Sequence, residues 1–293
     1  MIDSPRRSLL FFPGNKPALY AKAAQAGADM VTADLEDAVA PANKETARWQ
    51  MMAFFATMGR GQTQTNADEA GEAVAAPEPI LRINSIRTAE GLADLQAVLA
   101  ASTPPSALML PKVKSANEIR LYDDLLAPHP HIQLHVIIET NEGLEDCYAI
   151  ARASQRVASL LFGGVDLAAD LRLEANWEGL LYGRSRVVHA AAGAGIDVLD
   201  VPYLNFNDTA GLEVETEASK RLGFGGKAAV HPRQIPIINR CFSPTPAQIA
   251  EAERVVSAFA AQGSGVVVLD GKLIERPVLR TMHRILAIAQ RMK

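Results

Sequence analysis

Leu134-His135-Val136-Ile137-Ile138-Glu139 and Leu160-Leu161-Phe162-Gly163-Gly164-Val165-Asp166 are the stretches that decide the fold of this 293-residue chain. Each begins as an apolar run of strand length and ends in an acid. A run of this kind reads as a buried parallel strand. A carboxylate at the end of such a strand is costly unless it is paired, hydrogen-bonded or bound to a cation. Two of them, one strand-helix unit apart, suggest a divalent metal site held by Glu139 and Asp166.

Outward from this pair, the same register repeats. Strands are expected at residues 9–12, 30–35, 80–84, 107–111, 134–139, 158–163, 196–201 and 227–231. Amphipathic stretches between them predict helices, among them 17–26, 43–58, 89–100, 116–126, 141–153 and 208–222. Eight strands, each followed by a helix, predict an α/β fold of the (β/α)8 TIM-barrel type over residues 1–241. A doubly wound open sheet gives the same local pattern. Phe12-Pro13-Gly14-Asn15-Lys16-Pro17 argues against it, being a turn and not a glycine-rich dinucleotide fingerprint.

Two regions break the register. Residues 59–79 lack periodic apolar positions and predict a long surface loop. From residue 242 to 293 a C-terminal extension is expected, with a helix at 247–261, a strand at 266–269, a turn at Asp270-Gly271 and a last helix at 277–291. This helical extension is expected to pack on a neighbouring subunit, in a homo-oligomer.

Charged residues are 21% of the chain and the formal net charge is −4, which gives no reason to expect a nucleic-acid partner or an anionic membrane surface. No apolar stretch approaches the roughly 20 residues that would span a bilayer, and the N-terminal run is too short for a signal peptide. Cys147 and Cys241 stand far apart with no second thiol nearby. A reduced, cytoplasmic protein acting on small molecules is expected.

In a barrel, polar residues at the C-terminal strand ends meet at one mouth. Here these are Asp34, Glu36 and Asp37 after the second strand, Arg82 and Asn84 at the third, Lys112 after the fourth, then Glu139, Asp166 and His231. Ordinary readings stand beside the functional ones. Glu139 would also serve to cap a helix near Asn141, and Asp166 one starting at Leu167. Lys112 and Arg82 would also serve to neutralise Glu36 and Asp37, and His231 reads as a satisfied strand-end histidine. As a site, an oxygen-only pair favours Mg2+, or Mn2+, over zinc. Arg82 is suited to fork a substrate carboxylate. A hard metal beside such an arginine can stabilise an enolate next to a carboxylate or carbonyl, the chemistry of aldol and Claisen lyases.

The motifs then become specific: residues 7–14 (RSLLFFPG), 34–39 (DLEDAV), 81–84 (LRIN), 110–113 (LPKV), 138–140 (IET), Phe162-Gly163 with Asp166-Leu167, Gly226-Lys227 to His231-Pro232, and 269–272 (LDGK). In order and spacing they resemble the citrate lyase β-subunit-like proteins of the HpcH/HpaI aldolase superfamily, which includes malyl-CoA and citramalyl-CoA lyases. The resemblance implies Mg2+ on Glu139 and Asp166, and Arg82 binding a 2-keto acid. It also implies Glu36 and Asp37 ordering the metal's waters, and Phe11, Lys16 and Lys22 contacting a CoA thioester. Without it, Lys16 and Lys22 read as surface lysines. It implies an oligomer, trimer or hexamer, in which an acid from a neighbour's C-terminal segment acts at the acyl carbon. Relatives carry Asp there; this chain has Glu275 in Ile274-Glu275-Arg276-Pro277, with Asp270 a nearby alternative. Val165 is a second departure, where many relatives have Glu. The implied activity is cleavage of a short β-hydroxyacyl-CoA into a 2-keto acid and an acyl-CoA. Thioester hydrolysis on the same site and a non-catalytic role in a lyase complex are the alternatives.

Overall fold

All eight expected strands form, and they close on one another. β1 (Ser8–Pro13), β2 (Met30–Asp34), β3 (Glu78–Arg82), β4 (Ala107–Leu110), β5 (Gln133–Ile138), β6 (Val157–Phe162), β7 (Asp197–Asp200) and β8 (Gly226–Ala229) pair in chain order. Each lies parallel to the next, and β8 returns to pair with β1. The protein is thus a (β/α)8 barrel, seen in a computed structural model that describes residues 5–61, 76–262, 266–269 and 271–292. Much of the loop expected at 59–79 lies outside the described residues; on its flanks a helix runs to Gly61 and β3 starts at Glu78.

The helices between the strands are α1 (Leu19–Gln25), α2 (Lys44–Gly61), α3 (Ala89–Ala100), α4 (Ala116–Leu125), α5 (Asn141–Glu145), α6 (Cys147–Ala151), α7 (Gly164–Leu171), α8 (Trp177–Ala194), α9 (Thr209–Leu222) and α10 (Ile235–Phe242). The single helix expected at 141–153 is two, broken at Asp146, whose backbone sits at φ −89, ψ 5. The cause is tertiary: Asp146 Oδ2 accepts a hydrogen bond of 2.7 Å from the Ala116 N–H at the start of α4. One of the orphan donors of α4 is thereby satisfied from a neighbouring unit.

Alternation along the strands sorts the barrel interior into layers. Leu9, Ile80, Ile137, Leu161, Leu199 and Ala228 belong to one buried cluster at its centre. Two residues earlier on their strands stand Glu78, His135, Ser159 and Asp197, a polar layer at the N-terminal end. Arg6 closes this end, donating to Glu78 Oε2 at 2.8 Å, to Gln133 Oε1 at 2.9 Å and to Asp197 Oδ2 at 3.2 Å. Two residues later than the central layer stand Phe11, Arg82, Glu139, Gly163, Val201 and Val230. Register alone therefore delivers the candidate site to the C-terminal mouth.

The barrel, residues 6–239, is one compact unit, and a second unit contains residues from 240 onward. This second unit has α11 (Pro246–Gln262), β9 (Val266–Leu269), β10 (Lys272–Glu275) and α12 (Arg276–Arg291). β10 was not foreseen: it pairs antiparallel with β9 across a turn that includes Gly271 at φ 72. Val255, Val267 and Ile274 form its core, with Phe259, Val278 and Met282 packed against them. Val268 and Leu273, partners across the ladder, remain 63% and 60% exposed on the opposite face.

Candidate active site

Glu139 follows β5 directly, and Thr140, not Glu139, caps α5: its hydroxyl accepts from the Gly143 N–H at 3.0 Å. Glu139 is free to turn inward and is buried at 3% exposure. The capping role considered for Asp166 also fails, because α7 starts three residues earlier than expected, at Gly164, and Gly163 holds the cap position. Asp166 sits in the first turn of α7, where the helix dipole favours its charge. Both acids line one cavity of about 400 Å³ at the C-terminal mouth, with Arg82 and Phe11.

Gly163 lets the two strand ends approach. A Cβ at Gly163 would lie 2.4 Å from Glu139 Cβ and 2.7 Å from its Oε2, so no larger residue fits without moving the acid. Glu139 Oε1 is fixed from the other side by the Lys112 N–H at 2.7 Å. Lys112 adopts φ 53, a left-handed conformation uncommon for a residue with a side chain. Its ammonium bonds Glu36 and lies 3.7 Å from Asp37 Oδ1.

Arg82 needs a correction. The sequence suggested an open fork for a substrate carboxylate, but that fork is occupied: Nε donates to Asp34 Oδ1 at 2.7 Å and Nη2 to Asp34 Oδ2 at 2.6 Å. Nη2 also donates to Asp37 at 3.3 Å, and Nη1 lies 2.9 Å from Glu36 Oε2. What Arg82 still offers the cavity is its charge. The guanidinium stands 5.2 Å from the centre of the Phe11 ring. Glu36 and Asp37 are correspondingly tied to Arg82 and Lys112, as the neutralising reading had it.

Electrostatically the site is overloaded with carboxylates. Burial raises the Glu139 carboxyl to about 8, helped by the charges of Glu36 and Asp166 against the opposing pull of Arg82. Glu36 is also raised, first by burial, against Arg82 and Lys112. Arg82 and Lys112 are held protonated: burial works against their charge, but their carboxylate partners outweigh it. Among the described residues, the five carboxylates Asp34, Glu36, Asp37, Glu139 and Asp166 share two ion-pairing cations, Arg82 and Lys112. A divalent cation fits this donor set, since it supplies the missing positive charge and prefers carboxylate oxygens. Among the described residues no group of three or more His, Cys, Asp or Glu forms a ready cage, so water and substrate oxygens would complete the shell.

Two contributors have roles that the sequence reading did not assign. Asp34 was noted only as a strand-end acid, yet it aims Arg82 while accepting from the Glu36 and Ala38 N–H groups at 2.8 and 3.1 Å. Its inward parity with Met30 and Thr32 on β2 is the signal that could have found it. Lys44, at the start of α2, reaches back to the Leu35 and Glu36 carbonyls at 3.0 and 2.9 Å and pins the loop after β2. No local pattern marks it.

Lys16, Lys22 and His231 are not among the residues that line the cavity. Lys16 and Lys22 are exposed, in the loop after β1 and on α1. His231 caps a short 3-10 turn, accepting from the Arg233 N–H at 3.1 Å, and stacks on Phe206 at 5.3 Å. Glu275 is exposed in the second unit, between β10 and α12, with no capping hydrogen bond from its side chain. Asp270 lies outside the described residues.

A family model described as HpcH/HpaI aldolase/citrate lyase matches residues 7–232. The citrate lyase subunit beta of Leuconostoc mesenteroides subsp. cremoris is 31% identical over 297 residues, covering 97% of this chain and 93% of that protein. The (3S)-malyl-CoA thioesterase of Cereibacter sphaeroides is 33% identical over 291 residues, covering 98% and 95%. Among solved structures, CitE from Mycobacterium tuberculosis in complex with magnesium, acetoacetate and coenzyme A superposes with a TM-score of 0.75. It is 27% identical and covers 98% of this chain and 99% of that one.

Proposed function

We propose, for a chain that belongs to the HpcH/HpaI aldolase/citrate lyase family, a Mg2+-dependent carbon-carbon lyase acting on a short β-hydroxyacyl-CoA such as malyl-CoA or citramalyl-CoA. The observation that carries it is the convergence of Glu139 and Asp166 on the cavity that Arg82 lines. The solved relative with magnesium and coenzyme A supports the choice of ligands.

Glu139 and Asp166 would hold the cation, and Mn2+ offers the same hard-ligand chemistry. Bound there, it would polarise the substrate oxygens on which negative charge develops. Asp34 aims Arg82, whose charge draws in the carboxylate of the keto-acid half. Glu36 and Asp37 steady Arg82 and Lys112 and order water at the mouth. Phe11, Lys16 and Lys22 belong to the β1 side, where we place the CoA. The carbinol hydroxyl gives its proton to a water ordered by Glu36 and Asp37, the bond to the acyl α-carbon breaks, and the electron pair stays on the acyl-CoA as an enolate. Glu275, from the C-terminal segment of a neighbouring copy in a homo-oligomer, gives that carbon its proton. The products are a 2-keto acid and an acyl-CoA.

Glu275→Gln should lower keto-acid release at least 100-fold with the oligomer intact; full activity in that variant removes Glu275 from the mechanism. Hydrolysis of the thioester on the same site is the second reading, favoured by the likeness to a malyl-CoA thioesterase. The two separate by product: a lyase releases keto acid with the thioester preserved in the acyl-CoA, whereas a hydrolase releases free CoA.

A further inference from the structure

The mouth of the barrel has two unlike halves. On β2, β3, β5 and the start of α7 it carries Asp34, Asp37, Arg82, Glu139 and Asp166. On the adjoining strand ends of β7, β8 and β1 it carries Val201, Pro202, Val230 and Phe11, and Val165 stands beside Asp166. None of these five side chains donates a hydrogen bond or bears a charge.

The polar half is equally informative. Its cations, Arg82 and Lys112, are both committed to carboxylates of the site. With five acids against two bases, one divalent cation still leaves the arc at about −1, and a single substrate carboxylate already takes it to about −2. A second substrate carboxylate would meet the apolar arc, with no counter-charge and no side-chain donor, and lose its water on entry.

We infer that the substrate carries an alkyl group, and not a second carboxylate, on the carbinol carbon, and that Val165, Val201 and Val230 form the wall that receives it. The inference rests on the lyase reading and refines it: the keto acid released is a 2-oxo monocarboxylic acid with an apolar tail. Thioesters yielding a 2-oxo dicarboxylic acid are excluded by charge and not by size, since a methyl and a carboxylate differ little in volume.

The test uses the Mg2+-loaded full chain and two keto acids of matched shape, 2-oxobutanoate and freshly dissolved oxaloacetate, titrated calorimetrically. The expected result is at least tenfold tighter binding of 2-oxobutanoate. Val201→Lys, which places a cation in the apolar arc, should narrow that ratio at least fivefold at an unchanged melting temperature, and Val165→Lys serves if Val201→Lys does not fold. Equal or tighter binding of oxaloacetate by the unaltered protein overturns the inference, as does failure of both acids to bind. The lyase reading is judged apart. If 2-oxobutanoate is preferred but no hydroxyacyl-CoA is cleaved, the wall stands and the reaction falls.

Discussion

Lys112 joins two parts of the site through one strained residue. Its N–H positions Glu139 and its ammonium positions Glu36, at a φ of 53 that an L-residue adopts only against steric cost. Lys112→Gly should therefore be more stable than Lys112→Ala by about 1 kcal/mol in urea unfolding, although both lose the same ion pair. Glu139→Gln should leave the metal-free melting temperature unchanged or higher, because a buried acid crowded by Glu36 and Asp166 loses its charge. The same variant should abolish the rise in melting temperature on adding Mg2+. Arg82→Lys replaces a planar fork with a point charge and cannot repeat both bonds to Asp34, so keto-acid release should fall at least 100-fold. From sequence, the pairing of Arg82 and Lys112 with Glu36 and Asp37 could be read, but Asp34 as the partner of Arg82 could not. Arg82 looked open because Asp34, which occupies its fork, is 48 positions away.

At the scale of elements, the strands were legible because a parallel barrel buries both faces, and unbroken apolar runs advertise that. Helix ends were less legible where a distant group sets them. Asp146 breaks the expected helix by capping α4, and α7 starts early because Gly163 can take the cap position beside Glu139. β10 escaped notice because Lys272-Leu273-Ile274-Glu275 is too short and mixed to read alone, and it forms only as the partner of β9. Two substitutions probe these junctions. Asp146→Ala should cost about 1 kcal/mol through the lost N–H partner of Ala116, read by denaturant unfolding. Gly163→Ala should weaken Mg2+ binding at least tenfold in calorimetry, since its Cβ would displace the Glu139 carboxylate.

Across the whole barrel, stability and function occupy opposite ends. At the N-terminal end Glu78 is buried, which alone would raise its carboxyl, yet His135 and Arg6 outweigh burial and hold it at about 2, below its ordinary 4.5. A depressed acid stabilises the fold above its ordinary value and stops doing so as pH falls toward the depressed one. Between about pH 5 and about pH 2 the protein should lose up to about 3 kcal/mol that Glu78→Gln does not lose over the same range. Chemical denaturation at stepped pH measures it. Outside the barrel wall, Asp200 and Lys227 pair at 2.9 Å with both side chains fully buried, joined by Arg184 at 3.0 Å. No function is implied by that cluster, which welds β7 and β8 to α8. The C-terminal end holds the proposed site, and there the decisive experiment is keto-acid release from citramalyl-CoA and malyl-CoA, followed while Mg2+ is removed with chelator and restored. Release that falls at least 100-fold without the cation, returns with it, and stays absent in Asp166→Asn is the predicted result. Release that persists undiminished in chelator would contradict it.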